Sequence, residues 1–267
     1  MRQLMIPPFK TITFGIILMI CSWQSIADLK DETIIFSGIP FPPFVARGEN
    51  SQLIGTHINL SKKVFEHLGL SLEILEIPYA RALDMIKKGE IGIVQCIDDR
   101  IDGKSPNYYF PAFSVPLTTS AYSTNPDVTL SKHFDSFLGK SVLIVKDWPI
   151  GPYSEIINEQ NPSMKVESIP APSSAVRMIY GNRADILVIF DIPFDMITKQ
   201  YNLQSEQLRK VVLFDNYGST FCIPKTYPYA VELSEALKRG FAELTERGII
   251  DKEQLILVGD NPQKYLK

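Results

Sequence analysis

Two stretches of this chain, one in each half, read alike. "ARALDMIKKGEIGIVQCI" (residues 80–97) and "SSAVRMIYGNRADILVIF" (residues 173–190) both run through Ala, a branched aliphatic, a variable residue, Met and Ile to a Gly and a new apolar run. The spacing around the Gly differs by one or two residues, which makes this a structural rhyme and not a strict repeat. An amphipathic helix closed by glycine and followed by a strand is part of a strand–helix–strand unit. Units of that kind commit a chain to an α/β fold with a largely parallel sheet, and two of them argue for two similar lobes.

The neighbouring segments agree. "TIIFSGI" reads as a strand, and "HINLSKKVFEHLGL" places Ile58, Leu60, Val64, Phe65 and Leu68 on one helical face, with Gly69 as its C-terminal cap. "SLEILEI" alternates as a strand. In the second half "GKSVLIVKD", "YSEIINEQ" and "MKVESI" read as strand, helix and strand. "AFSVPLTTSAYSTN" and "NYGSTFCIPK" read as extended connectors, and "AVELSEALKRGFAELTERG" as a long helix whose apolar face needs a sheet to cover. If the first lobe takes that helix, the chain crosses between lobes twice, and the cleft beside such a hinge is a natural ligand site.

Composition places bounds on the partners. The 267 residues are 45% hydrophobic and 21% charged with a formal charge of −3, a globular composition with no basic stripe for nucleic acid. Arg2 and Lys10, the apolar run "TITFGIILMICSW" and the small residues of "SIA" describe a secretory signal peptide over residues 1–27, cut before Asp28. The apolar run is shorter than the roughly 20 residues a membrane span needs. Cleavage leaves Cys96 and Cys222. Both lie in apolar strand contexts, where two buried thiols are the expected state and a disulfide the alternative.

One stretch asks for more than a turn. After the first strand come Pro40, Phe41, Pro42, Pro43 and Phe44, then a polar turn and a helix. A turn needs only Gly, Asn or Asp, so rigid aromatic surface at a strand tip suggests one wall of a ligand cleft; the competing reading is an aromatic plug closing the sheet end. "PPF" here, the Gly55-x-x-Ile58-x-Leu60 helix start, "PYARAL" at residues 78–83, "FSVPL" at 113–117, "LGKSVLIV" from Leu138 and "GNRADILVIFDIP" from Gly181 follow one another in an order and spacing that resemble the periplasmic solute-binding proteins of the polar amino-acid transporter type, family 3. That resemblance implies a two-lobed Venus-flytrap fold, each lobe a mixed sheet flanked by helices, with lobe 1 over residues 28–117 plus 222–267 and lobe 2 over 118–221.

It also implies a function and a site. The function is the binding of a small polar solute, an amino acid or a related carboxylate or amine, by hinge closure in the periplasm. The expected partners are that small molecule and an ABC-transporter permease or a sensor protein, with no nucleic acid and no cofactor, and the protein is expected to be a monomer. Phe41 matches the aromatic that packs on the ligand from the first lobe, and Tyr79 a second aromatic wall. Arg81 either faces the cleft or covers a helix surface. The family's carboxylate-gripping arginine has no clear counterpart: "IDDRIDGKSPNYY" puts Tyr108 in its place, with Arg100 or Lys104 in other registers. Trp148 in "KDWPIG" matches a third wall, before a helix whose amides receive an anion, and Asp191 the acid that holds an ammonium group, one residue later than usual.

The histidines, His57, His67 and His133, lack metal-ligand spacing, and no nucleophile elbow, P-loop or dinucleotide fingerprint is present. Two alternatives to transport remain: a dehydratase-like enzyme on the same fold, drawing on Asp98, Asp99 or Asp191, and an orphan sensory binding protein. The leader reading is testable directly. N-terminal sequencing of exported protein is expected to begin at Asp28; a lipid-modified Cys21 or a retained Met1 would refute it.

Overall fold

The computed structural model describes residues 29–38, 40–77, 79–98, 106–110, 114–148, 150–252 and 255–265. The expected leader and its cleavage point lie outside them. Strand β1 (Thr33–Gly38) pairs in parallel with β4 (Ser71–Glu76) and β5 (Ile93–Asp98). The crossovers are helix α1 (Thr56–Leu68) and helix α2 (Tyr79–Lys87). The expected face of α1 is the buried one, and Gly69 ends the helix in the left-handed conformation at φ 65°. A small ribbon, β2 (Ala46–Arg47) with β3 (Leu53–Ile54), precedes α1.

The second unit repeats this plan. Strand β8 (Ser141–Val145) pairs in parallel with β9 (Lys165–Ile169) and β10 (Ile186–Phe190), and helix α3 (Pro172–Tyr180) crosses between β9 and β10. Alternate side chains enter opposite cores: Leu143, Val145, Leu187 and Ile189 on one face, Val142, Ile186 and Val188 on the other. A strand buried on both faces reads as an unbroken apolar run, as "ILVIF" does. Helix α4 (Asp191–Gln200) follows β10 directly and was not anticipated.

The helix expected at "YSEIINEQ" does not form; a five-residue 3₁₀ turn, Gly151–Glu155, takes its place. Pro152 removes an amide from that turn. Beyond it Asn158 Nδ2 donates to the Glu155 carbonyl at 2.7 Å and Asn161 Nδ2 to that of Ile156 at 2.8 Å, while Asn158 Oδ1 accepts from the Gln160 amide at 3.0 Å. These local bonds give the backbone an alternative to the helical ladder.

The two extended connectors are strands at the centre of the sheet. Strand β7 (Val115–Ser123) pairs antiparallel with β10, and the sixteen-residue β11 (Arg209–Pro224) pairs antiparallel with both β7 and β5. The sheet order is therefore β4-β1-β5-β11-β7-β10-β8-β9, and a two-residue strand, β6 (Tyr108–Tyr109), adds to β11. The β7–β11 ladder shifts register between Val212 and Phe214 and again between Phe214 and Tyr217. Helix α5 (Ala230–Glu246) returns to the β1 side, where Leu233, Leu237, Phe241 and Leu244 share a core with Ile34, Phe36 and Val64.

The expectation of two free thiols is corrected: Cys96 and Cys222 form a disulfide, Cα–Cα 5.9 Å. The ladder sets Cys222 opposite Val94 and Thr220 opposite Cys96, so the cysteines are diagonal neighbours on one face of adjacent strands. Nothing short of that register could have paired residues 126 apart.

The proline-rich tip closes on itself and then onto α1. The Phe41 amide donates to the Val45 carbonyl at 2.7 Å across the turn, and the Pro42–Pro43 bond is cis. The amides of Thr56 and His57 donate to the carbonyls of Pro43 (3.1 Å) and Phe44 (3.0 Å), so the tip answers two of the open donors of the helix start. Gly55 makes this approach possible: its φ is 135°, and a Cβ there would lie 2.2 Å from the Phe44 carbonyl oxygen.

His57 is wholly buried between the rings of Phe44 (4.7 Å) and Phe221 (5.3 Å). Burial pushes its imidazole down to about 3 from an ordinary 6.5. Between those values the unfolded chain binds a proton that the folded protein refuses, so stability present above pH 6.5 is lost progressively as the pH falls toward 3. Urea midpoints measured across that window are expected to fall more steeply for the parent than for His57→Phe; equal slopes would show that His57 does not drive the loss.

Candidate functional site

Three strands of the two parallel units end at one place. Phe41 follows the carboxyl end of β1, Trp148 that of β8, and Phe190 closes β10. In open α/β sheets the carboxyl ends of strands are where ligands bind. Here the three rings pack together. Phe41 meets Trp148 edge-on with centroids 4.6 Å apart at 87°, and Phe190 at 5.4 Å and 71°. Trp148 and Phe190 lie 6.2 Å apart, and Phe44 backs Phe41 at 5.3 Å. Phe41 is only 6% exposed, and Trp148 packs against the cores of both units. Two of the residues expected to wall a ligand thus wall each other. Each such ring pair contributes about 0.5–1.5 kcal/mol beyond burial, so parting Phe41 from Trp148 and Phe190 costs about 1–3 kcal/mol that an inserted ligand must return.

Asp191 comes next to this cluster as the first residue of α4. Its carboxylate is already engaged. Oδ1 accepts from the Tyr122 hydroxyl at 2.7 Å, and Oδ2 pairs with Lys210 Nζ at 2.6 Å. Strand register explains the meeting: Lys210 on β11 lies opposite Tyr122 on β7. Phe194, one turn into α4, stacks on the Tyr122 ring at 3.6 Å and holds it in place. Burial, with Asp191 as acceptor beside it, raises the Tyr122 hydroxyl far above its ordinary value, so it stays protonated and donates. Burial also raises the Asp195 carboxyl, against the pull of Lys210 and with the charge of Asp191 adding to the rise.

The remaining candidates are not gathered here. Tyr108 pairs with Pro224, fourteen residues along β11 from the Lys210 that holds Asp191. Arg81 is exposed on α2, and Tyr79 begins that helix. Arg100 and Lys104 lie outside the described residues. The loop at Trp148 does not lead into an α-helix, and its Ile150 amide donates to Ser154 Oγ at 3.2 Å, so the anion-receiving helix start expected there is not built. Phe190, Tyr122 and Lys210 were missed in the sequence. Phe190 could have been found, next to the expected Asp191, as the carboxyl end of the apolar strand "ILVIF"; Tyr122 and Lys210 depend on a pairing across 88 residues of chain that only the register shows. Among the described residues no group of three His, Cys, Asp or Glu is placed to hold a metal ion.

The cluster makes a ranked prediction. Tyr122→Phe removes a donor from a carboxylate that is 15% exposed and is expected to cost about 1.5–3 kcal/mol in urea unfolding. Lys210→Met removes an ammonium that is 41% exposed and is expected to cost about 1 kcal/mol or less. The reverse order would contradict this account of what holds Asp191.

No protein-family model matches the chain, and no curated protein matches it in sequence. Solved structures do. A histidine kinase sensor domain with similarity to periplasmic binding proteins is similar at 17% identity and TM-score 0.61, over 81% of this chain and 92% of that one. An ancestral arginine-binding protein bound to arginine is similar at 20% identity and TM-score 0.59, over 81% and 93%. The periplasmic VFT2 domain of Bordetella pertussis BvgS is similar at 18% identity and TM-score 0.60, over 84% and 92%. At these identities the likeness is one of architecture: the chain has the α/β, two-lobed Venus-flytrap fold of periplasmic binding proteins.

Proposed function

We propose that this protein binds a small polar solute, an amino acid or a related carboxylate or amine, between its two lobes, and delivers it to a transporter permease or a sensor protein. One lobe is residues 28–117 with 222–267, the other 118–221, and β7 and β11 are the two crossings. The observation that carries this reading is the meeting of Phe41, Trp148 and Phe190 at strand ends from both units, with Asp191 following Phe190 directly in the chain. Closure of such a cleft brings aromatic walls from both sides onto one ligand.

The chemistry favours an amine on that ligand. Asp191 already holds an ammonium group, that of Lys210, at 2.6 Å. A ligand amine takes the same carboxylate while the exposed lysine moves to solvent, and the Tyr122 hydroxyl keeps the acid oriented. The apolar part of the ligand takes the contacts that Phe41 and Trp148 make with each other. We read the activity as retention and hand-over and not turnover, as a binding protein in the periplasm after removal of residues 1–27. Amino-acid-binding proteins and sensor domains among the similar structures support both delivery routes.

A panel of amino acids, amines, organic acids and sugars followed by thermal unfolding tests this. A true ligand at 100 times its dissociation constant adds about 2.7 kcal/mol, which raises the melting temperature by about 5 to 10 °C for a chain of this size. Asp191→Asn is expected to weaken an amine ligand by about 1.5–3 kcal/mol. No shift with any class at millimolar concentration refutes solute binding, and undiminished binding by Asp191→Asn refutes the role of the acid.

A further inference from the structure

Asp191 is not the sole acid on its face of α4. Asp195 follows it by four residues, a spacing that sets two helical side chains side by side with Cβ atoms about 5–6 Å apart. Asp195 lies at the surface, yet enough of its carboxyl is covered for burial to raise it. The charges of Lys210, Asp191 and Lys199 all act on it, and the Tyr122 hydroxyl feels both acids. Two carboxylates thus share the neighbourhood of Lys210, and the lysine is placed on Asp191, at 2.6 Å.

The lysine is built to move between them. Its root on β11 is fixed opposite Tyr122, and its ammonium lies 5.9 Å from the centre of the Tyr122 ring. From there a flexible four-carbon stem carries a compact charge with three rotatable donors. The partly exposed ammonium has no rigid fork to hold it to one partner. A tethered charge also stays at high effective concentration beside whichever acid is left unpaired.

The consequence rests on the amine reading of the cleft given above. An amine that takes Asp191 releases Lys210 toward solvent, and Asp195 is the acid on that exposed side. We infer that Lys210 is a resident counter-ion that passes from Asp191 to Asp195 when a ligand amine binds, and that the site therefore takes a ligand with a single ammonium group. Two carboxylates are then matched by two ammonium groups, one from the ligand and one from the chain. Asp195 is a positioning residue: it receives the lysine and does not touch the ligand. A second cationic group on the ligand gains nothing, because the acid it would pair with is filled and Lys210 meets it with like charge.

The move of the lysine is read without any ligand, with Asp191→Asn standing for the neutralised acid. In 13C-NMR titrations of the Asp195 carboxyl, Lys210→Met is expected to raise the midpoint by about 1 pH unit in the Asp191→Asn background. With Asp191 intact the rise is expected to be less than half as large. An equal rise in both backgrounds overturns the inference. The ligand class is tested by calorimetry with n-butylamine and 1,4-diaminobutane, which are matched in chain length. The parent is expected to bind the two within about twofold, and Lys210→Met to favour the diamine by about two- to fivefold. Lys210→Met together with Asp195→Asn is expected to lose that gain, and Asp195→Glu alone to bind as the parent does. A diamine preference already present in the parent, or a ratio unchanged in Lys210→Met, overturns the single-ammonium assignment. Binding of neither amine by the parent removes the amine reading and the ligand half of this inference with it, while the titration separately decides whether the lysine moves.

Discussion

Strand β11 is the member on which the other elements depend. Along its sixteen residues it bonds to β5 on one edge and β7 on the other, and β7 in turn carries β10. Each parallel unit alone would end in an open edge with unpaired amides and carbonyls, which is costly in water and worse when buried. The antiparallel pair β7–β11 satisfies both edges at once and so joins the units into a single sheet. Its two register shifts sit between the stretch bonded to β5 and the stretch that runs beside Tyr122. A ladder interrupted there bends more readily than a regular one.

Much of this was legible from local pattern. Helices α1, α2, α3 and α5 and strands β1, β4, β5, β8, β9 and β10 follow from periodicity and from glycine at helix ends, because those signals act within a few residues. The helix at "YSEIINEQ" failed where Asn158 and Asn161 offered the backbone better local bonds, a competition that periodicity does not weigh. The connectors were seen as extended but not as central strands, since nothing in "AFSVPLTTSAYSTN" announces its partner. The site was legible in part. Phe41 and Trp148 meet, but their contact, the Lys210–Asp191 pair and the Cys96–Cys222 bond all arise from pairings between distant segments.

The strand tip resolves a tension between the two readings of its aromatic residues. Phe44 is a plug: it is 3% exposed, packs at a tilt on His57 and, through its carbonyl, accepts from the start of α1. Phe41, three residues earlier, is held by the same turn but turns toward Trp148 and Phe190. One rigid segment therefore holds both rings: the prolines fix the backbone, Gly55 lets it dock on α1, and Phe41 is left to pack against Trp148 and Phe190 of the second unit.

The bond between Cys96 and Cys222 has a topological meaning. It lies on the β5 side of β11, yet the 126 residues it spans include β7, the whole of the β8-β9-β10 unit and α4. That second unit is therefore a closed loop hung from a covalent staple in the first. In the chain-entropy account a loop of this length restricts the unfolded ensemble by about 5 kcal/mol. Neither end of the staple lies in the second unit; Cys222 is on β11 itself, so the bond pins the first-unit end of that strand to β5. Should that unit lose its packing, its ends remain pinned side by side, and it can refold onto a template that never came apart.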